Sequence, residues 1–266
     1  MRLRVLTYNI HRCIGVDRRF RPERVVAVLR HYEADVVLLQ EVDEGVPRSR
    51  ELNLAREIAG AAGYPCFALG HNVSLRKGWY GNATLSRFPI LRERNVDLTI
   101  GRRKRRGAQH TTLDLGPPRP GAEPGRLEVF NTHLGLSARE REVQLGVLAG
   151  CDELASLDDA ALCLVGGDFN DWRSLLWPTF VGRLGFRNAT DLKRGVMRTY
   201  PSFAPRGGLD RLYFRGGLRL RAAWTCRLQV SRVASDHLPV VADFELSRSA
   251  EAQPAGSLVP PVESPA

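Results

Sequence analysis

No stretch of about 18 apolar residues, the length that crosses a bilayer as a helix, occurs in this 266-residue chain. The first residues, Leu3 to Asn9, already read as a strand and lack the basic-then-apolar pattern of a signal peptide, so the expected location is the cytoplasm. The five cysteines, Cys13, Cys66, Cys151, Cys163 and Cys226, are scattered, odd in number and never spaced Cys-x-x-Cys. That argues against a disulfide framework or a thiolate metal site and for reduced core thiols. No segment of about 20 to 50 residues repeats, which excludes a solenoid or a propeller. Lysine is nearly missing: only Lys77, Lys104 and Lys193 occur, so 36 of the 39 basic residues are arginine. The formal net charge of +10 suits a polyanionic partner or an anionic surface, but a GC-rich genome produces the same arginine skew without selection for binding.

A hydrophobic content of 43% over this length is enough to bury a sizeable core. One domain over residues 1–246 is expected. Beyond Ser247 large apolar residues give way to Ala, Pro, Ser and Glu, so residues 247–266 read as a disordered tail.

The most informative stretch is Ala161 to Asn170, an apolar run that ends in Gly166, Gly167, Asp168, Phe169 and Asn170. Such a run closed by glycine reads as a buried strand, and alternation puts Asp168 and Asn170 on one side of its end. Similar polar endings recur. Leu3 to Ile10 leads to Asn9; Val36 to Leu39 ends at Gln40 and Glu41; Arg126 to Leu134 carries His133. A carboxylate one residue beyond a run of four apolar residues is costly unless it has a partner or a metal. A strand opening at Gly81 places Asn82 at its start, and strands near Leu209 and Val240 adjoin Asp210 and the pair Asp236 and His237.

Between these lie expected helices from Pro22, over Glu51 to Ala62, and after Ser137, where Ser137 and Glu140 make a capping box and Val143, Leu148 and Leu154 an apolar face. Residues 70–80 read as a loop, 172–186 as helix, 187–206 as irregular and 218–230 as a strand. The basic run Arg102 to Arg106 reads as a solvated turn or a phosphate-binding one, and Gly116 to Gly125 as an exposed hairpin loop.

The ordered motifs Thr7-Tyr8-Asn9, Leu39-Gln40-Glu41-Val42, Gly81-Asn82-Ala83, Asn131-Thr132-His133-Leu134, Gly167-Asp168-Phe169-Asn170, Leu209-Asp210 and Ser235-Asp236-His237-Leu238-Pro239 together resemble the endonuclease/exonuclease/phosphatase superfamily, the deoxyribonuclease-I-like fold, over residues 3–246. Tyr8-Asn9-Ile10-His11 is most similar to a small bacterial subgroup. The resemblance implies an α/β fold, a four-layer α/β/β/α sandwich of two mixed, mainly antiparallel sheets, and hydrolysis of a phosphoester with Mg²⁺ or Mn²⁺.

By that resemblance Asp168 activates the attacking water, Asn170 holds it or a phosphate oxygen, and His237 contacts the phosphate with Asp210 behind it. His133 is a second phosphate contact or proton donor, Asn82 binds substrate, and Glu41 holds the metal with Asn9 and Asp236 assisting. Some nucleases of the superfamily carry an acid where this chain has His11, which leaves the metal shell open. The implied substrate is nucleic acid, a phospholipid or an inositol phosphate, because the rim reads a phosphate while loops read the rest. The alternative is a non-catalytic module that binds polyanions on the same fold.

Overall fold

The computed structural model describes residues 1–117, 125–191 and 195–246. In chain order these form β1 (Arg2–Asn9), α1 (Pro22–Tyr32), β2 (Val36–Glu44), α2 (Leu54–Ala62), β3 (Cys66–Ser74), β4 (Trp79–Ser86), β5 (Ile90–Asp97), β6 (Gly107–Asp114), β7 (Arg126–His133), α3 (Ala138–Gly150), α4 (Asp152–Ala155), β8 (Leu162–Asp168), β9 (Arg187–Asn188), β10 (Asp210–Arg215), β11 (Leu218–Thr225), α5 (Ser231–Ala234) and β12 (Val240–Leu246). Two six-stranded sheets result, ordered β11-β12-β1-β2-β4-β3 and β5-β6-β7-β8-β10-β9. Among the described residues β1 with β2 and β7 with β8 are the parallel pairs, and the other ladders are antiparallel.

Strand alternation sorts the apolar residues into three layers. Leu6, Tyr8, Val37 and Leu39 pack with Val25, Val28, Leu29, Leu54 and Ile58 of α1 and α2. Their alternates Leu3, Val5, Val36 and Leu38 meet Leu127, Val129, Leu164, Leu212 and Phe214 of the second sheet. Phe130, Val165 and Tyr213, on that sheet's outer face, pack with Leu145 and Leu148 of α3. Three apolar layers between four layers of structure make an α/β/β/α sandwich. Each fully buried Val or Leu contributes about 1.5 to 3 kcal/mol relative to exposure.

The face between the sheets changes character along the strands. After Leu3 and Val5 come Thr7 and Asn9; after Val36 and Leu38 comes Gln40; after Leu127 and Val129 come Asn131 and His133. The sandwich is therefore oily at one end and polar at the other. Inside the polar end, Asn131 Nδ2 donates to Leu39 O (3.0 Å) and Ala83 O (2.9 Å) on the opposite sheet, and Gln40 Nε2 donates to Asn131 Oδ1 (2.8 Å). These bonds tie the sheets where apolar contact stops. Within the second sheet Gly167, at φ 138°, permits a close approach of β8 to β7: a Cβ there would lie 1.9 Å from Thr132 O.

Several local expectations change. The strand from Val36 does not end at Gln40 and Glu41 but continues to Glu44 through a bulge, where Glu41 adopts φ 62°. Residues 70–80 are a β3–β4 hairpin instead of a loop, with polar Asn72 held by Asn95 Nδ2 (2.9 Å) on an edge that tolerates polar side chains. That extension places Asn82 inside β4, not at its start. Ser137 Oγ accepts from Glu140 N as expected, yet α3 exposes Val143 and buries Glu140, Arg141 and Gln144, because Gln144 bridges Gly135 N (2.8 Å) and Leu98 O (3.1 Å). Leu154 belongs to α4.

Within 172–186 only Pro178–Arg183 is helical, as a π-helical turn, because Asp171 takes up Leu175 N and Leu176 N in a local turn of its own. The stretch 187–206 includes β9, the strand from Leu218 stops at Thr225, and α5 follows it. Residues 118–124 of the expected hairpin loop and the expected tail 247–266 lie outside the described residues. No described helix is long and apolar enough to cross a membrane.

Candidate active site

Register builds the site before any side chain is considered. His133 on β7 pairs with Asp168 on β8, and Asp168 pairs with Asp210 on β10, so three neighbouring strands set the three residues in one row. Alternation points the row into the gap between the sheets at its polar end. The first sheet completes it. Asn9, at the end of β1, donates Nδ2–H to Asp168 Oδ2 (3.0 Å), and His237, just before β12, faces the same oxygen through Nε2 at 3.7 Å. His133 Nε2 lies 3.5 Å from Asp168 Oδ2 on the other side.

Each group is held from behind. Asp168 Oδ1 accepts from Asn170 N (2.9 Å), and Asn170, at φ 50°, donates its amide to Leu134 O (3.0 Å). His237 Nδ1 meets Asp210 Oδ2 at 2.9 Å, its backbone N–H donates to Ser235 Oγ, and Ser235 Oγ–H donates to Asn9 O (2.7 Å). Tyr200 packs its ring against His237 at a centroid distance of 5.0 Å.

Burial and charge then separate the protonation states. Burial pushes the Asp168 carboxyl up to about 6, with the nearby Asp210 adding to the rise and His237 opposing it. Burial alone disfavours a charged His237, but Asp210 and Asp168 outweigh it and carry the imidazole up to about 10. His133 is driven well below the ordinary range by burial and then by Arg106, Lys104 and His237. At neutral pH the row therefore holds a neutral histidine, a carboxylate able to accept a proton, and an imidazolium backed by a second carboxylate.

The expected site residues divide into two groups. Asn9, His133, Asp168, Asn170, Asp210 and His237 come together as described. Glu41, Asn82 and Asp236 stand outside this row. Glu41 lies on the β2 bulge with Oε2 3.6 Å from Arg12 Nε, and that oxygen is buried without a hydrogen-bond partner. Asp236 is partly exposed, its Oδ1 3.9 Å from His11 Nδ1. Asn82 donates its amide hydrogens to Asn131 O (3.0 Å) and Gly107 O (3.2 Å), and its Oδ1 is buried without a hydrogen-bond partner.

Residues that sequence reasoning passed over are Gln40, Asn131, Ser235 and Tyr200. The first three lie inside the quoted motifs, and alternation from Leu38 and His133 was the signal that Gln40 and Asn131 share the inner face; Tyr200, on an irregular segment, carried none.

Ligand atoms of Asp168, Asp210 and His237 lie within 4.8 Å of one another, close enough to hold a metal ion. Of these three, Asp210 keeps a buried oxygen, Oδ1, without a hydrogen-bond partner. The orphaned Oε2 of Glu41 is a second oxygen open to a hard cation, since Mg²⁺ binds through one or two carboxylates and keeps several waters.

Comparison with known proteins bears on the fold and the family. Uncharacterized protein YbhP of Escherichia coli K12 is 32% identical over 252 residues, covering 91% of this chain and 96% of that one. The endonuclease/exonuclease/phosphatase structure from Beutenbergia cavernae DSM 12333 aligns with a TM-score of 0.72 at 23% identity, over 92% of this chain and 72% of that one. D. rerio TDP2 complexed with single strand DNA product aligns with a TM-score of 0.69 at 17% identity, over 92% of this chain and 99% of that one. At these identities the two structures attest the fold alone. The family model for the Endonuclease/Exonuclease/phosphatase family matches residues 6–237, so this chain belongs to that family, in general terms a family of phosphoester hydrolases.

Proposed function

We propose that the protein hydrolyses a phosphoester with a divalent metal, using Asp168 as the base and His237 as the phosphate contact. The observation that carries this is the buried row itself, in which one carboxylate lies between a neutral and a charged histidine. A phosphodiester repels nucleophiles through its negative oxygens, so hydrolysis needs cationic contacts and a base for the water. Asp168 takes the proton of the water as its oxygen bonds to phosphorus and the bond from phosphorus to the leaving oxygen breaks, that oxygen keeping the electron pair and taking a proton from solvent; Asn9 Nδ2–H and Asn170 N–H fix the carboxylate for the transfer. His237, held charged by Asp210, offers Nε2–H to a phosphate oxygen. Neutral His133 serves as a hydrogen-bond donor or acceptor beside the leaving oxygen and not as a cationic acid. Glu41 is the residue that would hold Mg²⁺ or Mn²⁺, which when bound supplies a Lewis acid for the phosphate oxygen. Asn9 is committed to Asp168 and to His11 N (3.1 Å), so its share in the metal shell is secondary.

Nucleic acid is the favoured substrate class, because TDP2 of like fold was seen with a single-stranded DNA product and the chain carries net charge +10. Assaying oligonucleotide, phospholipid and inositol phosphate substrates with Mg²⁺, Mn²⁺ and EDTA tests both parts. Turnover in EDTA equal to that in Mg²⁺ would end the metal reading, and turnover of lipid alone would end the nucleic-acid one. Glu41→Gln is expected to raise the Mg²⁺ concentration for half-maximal rate by at least the roughly 10- to 100-fold that loss of a mere supporting partner costs. An unchanged Mg²⁺ titration removes Glu41 from the metal site.

The pH profile is a separate check. With Asp168 as base, kcat/KM should rise as that carboxyl loses its proton near pH 6 and fall as His237 loses its own near 10, both being apparent values of a coupled set. Asp210→Asn removes the charge that raises Asp168 and the charge that holds the proton on His237. Both limbs should move to lower pH; a profile that keeps both limbs in place contradicts the assignment.

A further inference from the structure

The ground around Glu41 has more hydrogen-bond donors than acceptors. Arg12 Nε, Arg106 Nε and the Tyr80 hydroxyl are all buried without a hydrogen-bond partner, and Glu41 Oε2 is the one orphaned carboxylate oxygen of the group. Arg106 is 5% and Tyr80 6% exposed, so water does not readily serve them. Lys104 Nζ lies over the Tyr80 ring, 5.4 Å from its centroid.

Charge is as unbalanced as hydrogen bonding. Burial and then Arg106 hold Lys104 below its ordinary range, with Glu41 pulling up and Arg12 down. These groups therefore share one electrostatic neighbourhood, which also reaches His133, whose ring Arg106 and Lys104 help to keep neutral. Arg48 is already matched by Asp43 at 2.7 and 2.8 Å. Three cations are left to one acid.

The backbone holds the arrangement at a cost. His11, Arg12 and Cys13 have φ of 44°, 59° and 58°, and Glu41 has φ 62°. Left-handed non-glycine residues are strained, and strain of this kind persists only where surrounding bonds over-determine it. Here Cys13 N donates to Ile10 O (2.8 Å), Ile14 N to His11 O (2.9 Å) and Arg21 N to Cys13 O (2.8 Å). The turn fixes Arg12 against Glu41 at 3.6 Å without letting the two bond.

We infer that Arg12 and Arg106, with Tyr80 and Lys104, form a phosphate-binding subsite beside the catalytic row, in which the substrate's phosphate supplies the missing acceptors. The inference rests on the hydrolase reading given above and adds residues that the motif set does not contain. A phosphate offers several acceptor oxygens and the negative charge the cluster lacks. Glu41 then becomes free of its nearest cation and is better able to take a metal, so phosphate and metal favour each other's binding. Thermodynamic linkage makes that effect reciprocal. Of the run Arg102 to Arg106, only Lys104 and Arg106 take part. Arg103 instead pairs with Glu140 at 3.1 Å.

The test is calorimetric binding of inorganic phosphate and of Mn²⁺, alone and together, to the full chain and to Arg12→Gln, Arg106→Gln and Glu41→Gln. Each arginine variant is expected to bind phosphate about 10- to 100-fold more weakly, the effect of losing one charge-assisted hydrogen bond. Glu41→Gln should bind phosphate more tightly than wild type when no metal is present, since the opposing acid is gone, and should lose the gain that Mn²⁺ confers. That change of sign is not produced by a merely structural role. Arg106→Lys, which keeps the charge, should fall between wild type and Arg106→Gln, and melting curves identify any variant that has not folded. Unchanged phosphate affinity in both arginine variants overturns the subsite while leaving Glu41 as metal ligand if Glu41→Gln still loses Mn²⁺. Unchanged Mn²⁺ binding in Glu41→Gln overturns the metal reading, and phosphate affinity in the arginine variants then decides the subsite by itself.

Discussion

Asp168→Asn is expected to turn over about 10²- to 10⁴-fold more slowly than wild type, the usual range for loss of a general base. The substitution keeps the shape but puts an NH2 where Asp168 has one of its two acceptor oxygens: Asn170 N can keep its acceptor, Asn9 Nδ2–H then loses its own, and the negative charge disappears together with the capacity to take a proton. His237→Ala is expected to show a loss of similar size, for another reason. It removes the imidazolium from the phosphate and leaves Asp210, 2.9 Å from the missing ring, as a buried carboxylate with no cation. If the two residues serve one transition state, the double variant should be far less impaired than the product of the single losses. The measurement is kcat at saturating metal for the four proteins on one substrate. Independent, multiplying losses would show that Asp168 and His237 do not act on the same phosphate, despite the 3.7 Å between them.

The second large effect concerns stability. Gly167→Ala should cost more than about 4 to 5 kcal/mol, a large share of the roughly 5 to 15 kcal/mol by which a domain of this kind is stable. Gly167 has φ 138°, a region closed to other residues, and a Cβ would lie 1.9 Å from the Thr132 carbonyl oxygen, which cannot move without breaking the β7–β8 ladder. Neighbouring Gly166→Ala should be milder, because its Cβ would meet the ends of Leu38 and Leu212 at 2.7 and 2.9 Å, and flexible side chains can shift. Gly60→Ala in α2, with nothing within 4 Å, should stabilise by about 0.4 to 1 kcal/mol. Urea unfolding of the three variants checks the ranking. A Gly167→Ala protein as stable as wild type would mean that the strands do not approach so closely, and the row of His133, Asp168 and Asp210 would lose its basis.

The motifs and the α/β class were legible in the chain because both depend on local sequence. Apolar runs of strand length ending in Asn9, Glu41, His133 and Asp168 announce their own alternation, and a carboxylate after a buried run asks for a partner wherever the run lies. Strands with mixed faces were less legible. β3 continues through His71, Asn72 and Ser74 because its partners, β4 along the ladder and Asn95 of β5, satisfy the polar groups, and no period in the sequence reports a partner 20 residues away. The polar face of α3 was hidden in part for the same reason, since Gln144 is buried against Leu98 O of a distant segment, while Arg141 turns back to Gly135 O and Leu136 O of the loop that leads into the helix.

What tertiary structure alone decided is who meets whom at the rim. Only strand register sets His133, Asp168 and Asp210 side by side, and only the facing of two sheets brings Asn9 and His237 to Asp168. The same facing turned Asn82 into a brace between the sheets, while the parallel pairing of β1 with β2 inside one sheet set Glu41 against Arg12, a neighbour that lies 29 positions earlier in the chain. Sequence specifies which groups are costly to bury alone; the distances over which they satisfy one another, and hence their charge states, exist only once the sandwich has closed.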